Sequence, residues 1–519
     1  MYLVTASEMR AMDGLTIDSF GIPGRVLMEN AGRGATQFLL EWFAGSMQTS
    51  VGVIAGKGNN GGDGFVIARY LAQKGVDISV YLLANSKAVK GDAAANLKLL
   101  TPLEIPVVEI PDADAFSKHQ SDMRLHGLWV DAILGTGLES DVKGYFREVI
   151  NFLNGLNKPI FAVDVPSGLN SDTGQLCGAC IHAQATATFG FAKTGLMIHP
   201  GADHVGKLKI VDIGIPNYII QKIEPRQFLI TARQVYNYFQ PRSADTHKGR
   251  TGHLLVVAGS TGKTGAAAMT AMSAMRAGAG LVTLALAISL NQMVESQVLE
   301  AMTEPLPEIA RGVLGESAFD DVMKLMAGKK CLAIGPGLGQ AEETKKLVCH
   351  IIKESPIPVV VDADGINNLV GQTEILPQLK VPIILTPHPG EMARLLGTTV
   401  ASVQQDRITT SREFAVNFNV HVILKGARTV IAHPDGNIYI NSTGNSGMAS
   451  GGMGDVLTGV IAGLVVQGFS PDSAARAGVY LHGAAADTLA QSIGPIGFLA
   501  GEVMNAIPGE IRKCIDAKP

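Results

Sequence analysis

The run VIAGKGNNGGDGF, residues 53–65, constrains the fold more than any other stretch, because an apolar strand-like segment ends in five glycines, two asparagines and an acid packed together. Gly56, Gly58, Gly61, Gly62 and Gly64 can take φ > 0 and let backbone N–H groups approach an anion. Asn59, Asn60 and Asp63 add polar side chains. The helical pattern that follows, FVIARYLAQKG, would set its N-terminal dipole against the same spot. Strand, glycine turn and helix in this order are the beginning of a βα unit, and the turn is predicted to touch a ligand rather than only reverse the chain.

A chain of 519 residues is too long for one ordinary core, and two large domains are expected. Hydrophobic residues at 46% against 17% charged suit a densely packed α/β enzyme. A net charge of −4 without a Lys/Arg cluster argues against nucleic acid as a partner and leaves small molecules. The start, MYLVTASEMRAMDGL, has no basic region ahead of an apolar stretch, so no signal peptide is expected. Residues 265–290 are apolar but interrupted by Arg276, which predicts a buried helix plus strand and no membrane partner. A cytoplasmic protein is expected. Five cysteines, an odd number, suit a reducing compartment; Cys177 and Cys180 form a lone C-x-x-C without a second ligand pair for zinc.

Apolar runs bounded by Gly and Pro alternate with helical pattern, the mark of a largely parallel sheet. Strands are predicted at 51–55, 77–83, 128–134, 159–163, 185–189 and 208–211, then at 253–258, 281–286, 331–334, 358–361, 382–386, 421–425 and 429–433. Residues 218–249 lose the periodicity and carry Pro225 and Pro241, so the domains are expected at 1–220 and 221–519. The halves show no self-similarity, which predicts two different folds fused. Exposed edges of such domains often associate, and a homo-oligomer is expected.

Ligands of parallel sheets sit at the carboxyl ends of strands, and in the first half three polar clusters fall there. Asn59–Asp63 is the first. VDAILGTGLESDVKG carries Asp131 and a loop of Gly135, Thr136, Gly137, Leu138, Glu139, Ser140 and Asp141. FAVDVPSGLNSDTG carries Asp164 and Ser167. Asn60, Asp131 and Ser167 together supply hard oxygen donors that suit an alkali or alkaline-earth cation, although each alone would be a turn or cap residue. Asp164, just past an apolar strand, is either an acid/base with a raised pKa or a cap on the next turn. Lys193 is either its cationic partner or a solvated lysine.

In the second half, GNSGMASGGMGDVLTGVIAGL repeats the device: Gly451–Gly454 can present N–H groups at a helix N-terminus to a transferring phosphoryl group. Asp455 would then take a proton from a substrate hydroxyl, the alternative being a plain N-cap. His388 is held between Pro387 and Pro389 at a strand end. VILKGARTVIAHPDG places Lys425, Gly426, Ala427, Arg428 and Thr429 in a tight link that would suit a nucleotide phosphate. The turns GPGLG (335–339) and STGKTGAA (260–267) identify no chemistry unaided, and the second lacks Walker A spacing.

Taken in order, NNGGDG, LGTG, VDVPSG, TPHPGE, LKG and GGMGD resemble the bifunctional NAD(P)H-hydrate repair enzymes over nearly the whole chain, and EMRAMD at 8–13 is similar to that family's opening helix. The resemblance implies a Rossmann-like epimerase domain and a ribokinase-like dehydratase domain. It implies that the first interconverts R and S hydrates of NADH and NADPH, with K+ held by Asn60, Asp131 and Ser167, the hydrate lined by 59–63, 135–141 and Asp164, and Asp164 as proton carrier. Loss and return of water or ring opening would serve equally. It implies that the second dehydrates the S form with ADP and Mg2+, giving NAD(P)H, AMP and phosphate. Lys425–Thr429 and Gly454 would bind the nucleotide, Ala266, Gly337, His388 and Asp455 would face the hydrate, and Asp455 would be the base. A vitamin or sugar kinase fused to a ligand-binding module is the competing reading, since GGMGD serves either.

Overall fold

The computed structural model describes residues 1–46 and 49–517. The chain divides into two compact units that meet in sequence between Gln227 and Phe228. That junction lies beyond the expected 220/221. Residues 218–249 are also not plain linker: Asn217–Ile223 and Ala232–Tyr236 are helical. No helix among the described residues is long and apolar enough to cross a membrane.

The N-terminal unit carries a seven-stranded parallel sheet, in the order Val107–Glu109, Ile78–Leu82, Val51–Ala55, Leu128–Ala132, Ile160–Val163, Ala185–Phe189 and Lys207–Val211. Helices cover both faces, so the strands are apolar on alternate residues in both directions. Val53, Val130 and Phe161 pack with Leu27, Ala31 and Phe65 on one side, while Ile54, Trp129 and Ala162 pack with Phe116, Val149 and Leu153 on the other. Strand order reverses between Val51–Ala55 and Leu128–Ala132, which opens a crevice at their carboxyl ends.

The C-terminal unit repeats the principle with Met302–Leu306, Leu281–Ala287, His253–Val257, Cys331–Ile334, Val359–Val361, Ile383–Leu385 and His421–Leu424 in parallel. Val430–Ala432 and Ile438–Ile440 follow antiparallel. Its order reverses between His253–Val257 and Cys331–Ile334. Val107–Glu109 and Ile438–Ile440 escape a periodicity reading because they are only three residues long, and the edge strand Met302–Leu306 because it is largely exposed and carries Glu304 and Pro305.

Candidate functional sites

The opening loop is shorter than its sequence suggests. The helix begins at Asn59 and runs to Gln73, so Asn59, Asn60, Gly61, Gly62 and Asp63 form its first turn. None of the five glycines has a left-handed φ; they serve close approach instead. A Cβ on Gly56 would lie 2.2 Å from the Ile133 carbonyl oxygen, and one on Gly61 would lie 1.9 Å from that of Gly56. The helix N-terminus is thereby pressed onto the strand tips.

That crevice is a cavity of about 900 Å³, lined by Gly58, Asn59, Asn60, Asp63, Gly135, Thr136, Gly137, Leu138, Asp164 and Lys193 among others. Glu139, Ser140 and Asp141, expected in the same lining, are not part of it, and neither are Gly61, packed on Gly56, and Gly62, packed on Met28. Asp164 holds a left-handed φ of 62°, a conformation that is costly for a non-glycine residue. Its Oδ1 accepts hydrogen bonds from Lys193 Nζ at 2.5 Å, Thr188 Oγ1 at 3.1 Å and Phe189 N at 3.2 Å. Lys193 is 1% exposed, so it is the ion-pair partner and not a solvated lysine. Burial pushes the Asp63 carboxyl well above its usual range, Asp164 adding to the effect against the pull of Lys193.

Behind the cavity, Asp131 is fully buried and lies within its strand, opposite Ile54 and Ala162. Ser167 donates to it twice, from Oγ at 2.6 Å and from the backbone N at 2.8 Å. Burial raises the Asp131 carboxyl to about 6, those hydrogen bonds opposing the rise. Asn60 donates to the Leu134 carbonyl at 2.9 Å, and Ser167 Oγ lies 3.2 Å from the same oxygen. The other amide atom, Asn60 Oδ1, is buried without a hydrogen-bond partner. The three residues are thus drawn to one place.

In the C-terminal unit the helix Met453–Val466 starts from Gly452 at φ 88°. A Cβ on Gly454 would sit 3.4 Å from Lys425 Nζ and 3.6 Å from Asp362 Oδ2, which places an ion pair beside the helix N-terminus. Lys425 Nζ donates to Asp362 Oδ1 at 2.7 Å and lies 3.7 Å from Glu391. Thr458 donates to Asp362 Oδ2 at 2.8 Å. Burial pushes the Asp362 carboxyl up, but the Lys425 ammonium and these hydrogen bonds outweigh it and hold the group below its usual range. Asp455 has the opposite fate: burial and the neighbouring Asp362 raise it to about 7, Lys425 opposing. Asp455 lies within the first turn and is not the N-cap, which is Gly452.

Around this centre the two uninformative glycine turns meet. Gly337 packs on Lys263 and Ala266, Ser260 Oγ donates to the Gly337 carbonyl at 2.6 Å, and Asp364 accepts from Lys263 Nζ and Gly339 N, both at 2.9 Å. His388 caps the helix Pro389–Leu396, its Nδ1 accepting from Gly390 N and Glu391 N. The proton therefore sits on Nε2, 3.5 Å from Glu391. Lys425, which the sequence reading offers to a nucleotide phosphate, is an ion-pair member here, with a side chain that remains 20% exposed. The rest of the 425–429 link is shaped by Arg407, which donates to the Leu424 and Ala427 carbonyls at 3.0 and 2.7 Å. Arg428 turns to the Ser442 carbonyl and Thr429 to that of Gly426. Asp362, Asp364, Glu391 and Arg407 were missed from the sequence; VDADG, an acidic strand end, was the available signal for the first two.

All five cysteines are free, and burial raises the Cys180 thiol to about 12. This is far from the activated thiolate a redox pair needs.

A family model described as YjeF-related protein N-terminus matches residues 24–195, and one described as NAD(P)H-hydrate dehydratase matches residues 254–509. A bifunctional NAD(P)H-hydrate repair enzyme Nnr from Moorella thermoacetica is 42% identical over 99% of this chain and 97% of its own length. The chain belongs to the bifunctional NAD(P)H-hydrate repair enzymes. A relative of the same name from Escherichia coli is 35% identical over 97% of this chain and 92% of its own length. Among solved structures, an ADP/ATP-dependent NAD(P)H-hydrate dehydratase from Bacillus subtilis, co-crystallised with ATP/Mg2+, aligns with a TM-score of 0.50 and 32% identity, covering 55% of this chain and 98% of that one. The expected α/β class, and the order of the two repair-enzyme domains, hold.

Proposed function

We infer that the N-terminal unit interconverts the R and S hydrates of NADH and NADPH and that the C-terminal unit dehydrates the S hydrate with ADP, releasing NAD(P)H, AMP and phosphate. The observation that carries the reading is the near-neutral Asp455 beside the Lys425–Asp362 pair at a helix N-terminus. Hydroxide is a poor leaving group. Asp455 takes the hydroxyl proton as the oxygen attacks the terminal phosphoryl group, whose oxygens rest on the Gly451–Gly454 amides. The ring nitrogen then expels phosphate, and loss of a ring proton restores the double bond. Ala266, Gly337 and His388 would face the hydrate; Lys425–Thr429 and Gly454 would hold the nucleotide. Mg2+ would arrive on the nucleotide phosphates, since the described residues gather no cluster of three or more His, Cys, Asp or Glu side chains for a metal.

In the N-terminal unit the hydrate would rest against Asn59, Asn60, Asp63, Gly135–Leu138 and Asp164. Asn60, Asp131 and Ser167 fit a K+ ion: an unpartnered buried amide oxygen, a buried carboxylate and a hydroxyl converge beside the Leu134 carbonyl. The ion would supply fixed positive charge near the hydrate's anionic groups. The reading is of a cytoplasmic enzyme that self-associates.

Incubation of the full chain with ADP and S-hydrated NADH should restore absorbance at the reduced-nicotinamide band with AMP and phosphate released. A phosphorylated product that accumulates without recovery of that band would make the C-terminal unit a kinase instead. Addition of R hydrate alone should show recovery only through interconversion.

A further inference from the structure

The first helix, Ala6–Gly14, is fastened to the corner that carries Lys193. The strand before it, Tyr2–Val4, pairs in parallel with Ala192–Lys193, Val4 opposite Lys193. Asp172 Oδ1 accepts from Ala6 N at 2.7 Å, and Thr5 and Glu8 form a capping box. Met9 and Met12 are buried, and Met9 packs so closely on Gly190 that a Cβ there would lie 2.9 Å from its methyl. The same helix brings Asp13 into the lining of the cavity that holds Asp63, Asp164 and Lys193.

Three carboxylates thus share one buried ammonium, and that ammonium is spent. Lys193 Nζ donates to Asp164 Oδ1, to Thr188 Oγ1 at 3.1 Å and to the Phe189 carbonyl at 3.0 Å, which uses all three of its protons. Asp13 is left without it, and Asp13 Oδ1 is buried with no hydrogen-bond partner. A carboxyl oxygen so placed in a cavity wall is satisfied when a ligand hydroxyl or water occupies the cavity.

We propose that Asp13 is a second catalytic carboxyl of the epimerase cavity, serving one face of the hydrated ring while Asp164, paired with Lys193, serves the other. The proposal rests on the epimerase reading above. Protonated Asp13 gives its proton to the hydroxyl oxygen on the carbon next to the ring nitrogen. The C–O bond breaks, its electron pair leaving on water, and the nitrogen lone pair forms a C=N bond. A solvent water attacks from the opposite face, the C=N π pair returns to nitrogen, and the new oxonium proton passes to the Asp164 carboxylate. The hydroxyl is inverted, one proton has moved from Asp13 to Asp164, and solvent water carries it back. The reverse direction exchanges the two roles. Burial raises the Asp13 carboxyl to about 6, Lys193 opposing and Asp164 adding, so both protonation states are available near neutrality. The other charged groups of the lining are Asp63, Arg10, Lys57 and Asp92.

The test follows 18O from labelled water into each epimer, together with interconversion above the enzyme-free rate, in the full-length wild type, Asp13→Asn and Asp13→Glu. Wild type should exchange the hydroxyl of both epimers. Asp13→Asn should interconvert about 100-fold more slowly, bind hydrate within a few-fold of wild type, and exchange label into one epimer only, because the Asp164 face still releases and recaptures water. Asp13→Glu should recover exchange into both. Interconversion by Asp13→Asn within threefold of wild type, equal loss of exchange into both epimers with hydrate still bound, or wild-type interconversion without label would each overturn the proposal. A wild type that does not interconvert the epimers at all sinks the epimerase reading itself, and is thereby told apart.

Discussion

Replacing Asp455 by Asn should abolish ADP-dependent dehydration and at the same time stabilise the C-terminal unit. Burial, with Asp362 nearby, raises this carboxyl from 3.8 to about 7. At about 1.36 kcal/mol per pKa unit, holding it charged at pH 8 costs the folded state roughly 4 kcal/mol, reduced to about 2–4 by its partial exposure. Between about pH 4 and pH 7 the folded chain binds more protons here than the unfolded chain, so this group's contribution to stability falls as pH rises. Asparagine is neutral throughout. The variant's gain should therefore be complete above about pH 7 and smaller by roughly 2 kcal/mol at pH 5. Both tryptophans, Trp42 and Trp129, lie in the N-terminal unit, so the gain is read by amide hydrogen exchange along Met453–Val466, with tryptophan emission in urea as the unaffected control. Wild-type turnover should fall about tenfold per pH unit below about pH 7 as the base takes up its proton. Exchange no slower in the variant at pH 8, or a gain independent of pH, would refute the electrostatic argument; retained turnover would remove Asp455 from the chemistry.

Lys425→Met strips the counter-charge from Asp362, which is 1% exposed, and should destabilise the C-terminal unit by about 3–5 kcal/mol at pH 8. Because Lys425 holds the Asp362 carboxyl low, that loss should shrink as pH falls toward 4; urea midpoints that shift equally at both pH values would contradict the pairing. KCl, compared with NaCl or tetramethylammonium chloride at equal ionic strength, should raise the unfolding temperature of the N-terminal unit followed by tryptophan emission, and Asp131→Asn should erase the difference. Equal temperatures in the three salts would remove K+ from the site. Gly61→Ala drives a Cβ against the Gly56 carbonyl oxygen, a separation of 1.9 Å without adjustment, and should cost the N-terminal unit about 1–3 kcal/mol or more while leaving dehydration of S hydrate intact; loss of dehydration as well would show the units to be coupled.

Turns at strand tips were the legible part of this chain. Glycine and proline break the apolar runs where the sheet ends, and the residues just past those breaks, Asn60, Asp164, Gly337, His388 and Asp455, are brought to the two crevices. What glycine does at such a turn was not legible, because a residue needed for left-handed φ and one needed for close approach are the same letter. Gly452 is the first kind, at φ 88°; Gly56 and Gly61 are the second, and their packing draws the helix back to Asn59. Asp13 was hidden in an ordinary amphipathic helix whose capping box and buried methionines explain it locally, and only the pairing of Tyr2–Val4 with Ala192–Lys193 reveals what it faces. The pairing of Lys425 with Asp362 was not legible, since a lysine in a short link gives no sign of whether it turns outward or down onto a buried acid.

The two units share one electrostatic device despite their different folds. In each, a lysine gives its charge to one carboxylate at a strand tip, the fully buried Lys193 to Asp164 and the partly exposed Lys425 to Asp362. A further acid at the same crevice then has burial and a neighbouring anion acting on it with no full counter-charge: Asp13 rises to about 6 and Asp455 to about 7. Such an acid exchanges a proton near neutral pH, which is what a substrate hydroxyl must meet if it is to leave as water on one site and to attack phosphorus on the other. The ion pair and the raised acid are therefore one arrangement rather than two. Each lysine both holds its partner carboxylate charged and pulls directly on the raised acid, so Lys193→Met and Lys425→Met should each displace the pH profile of their own unit's reaction as well as reduce its rate.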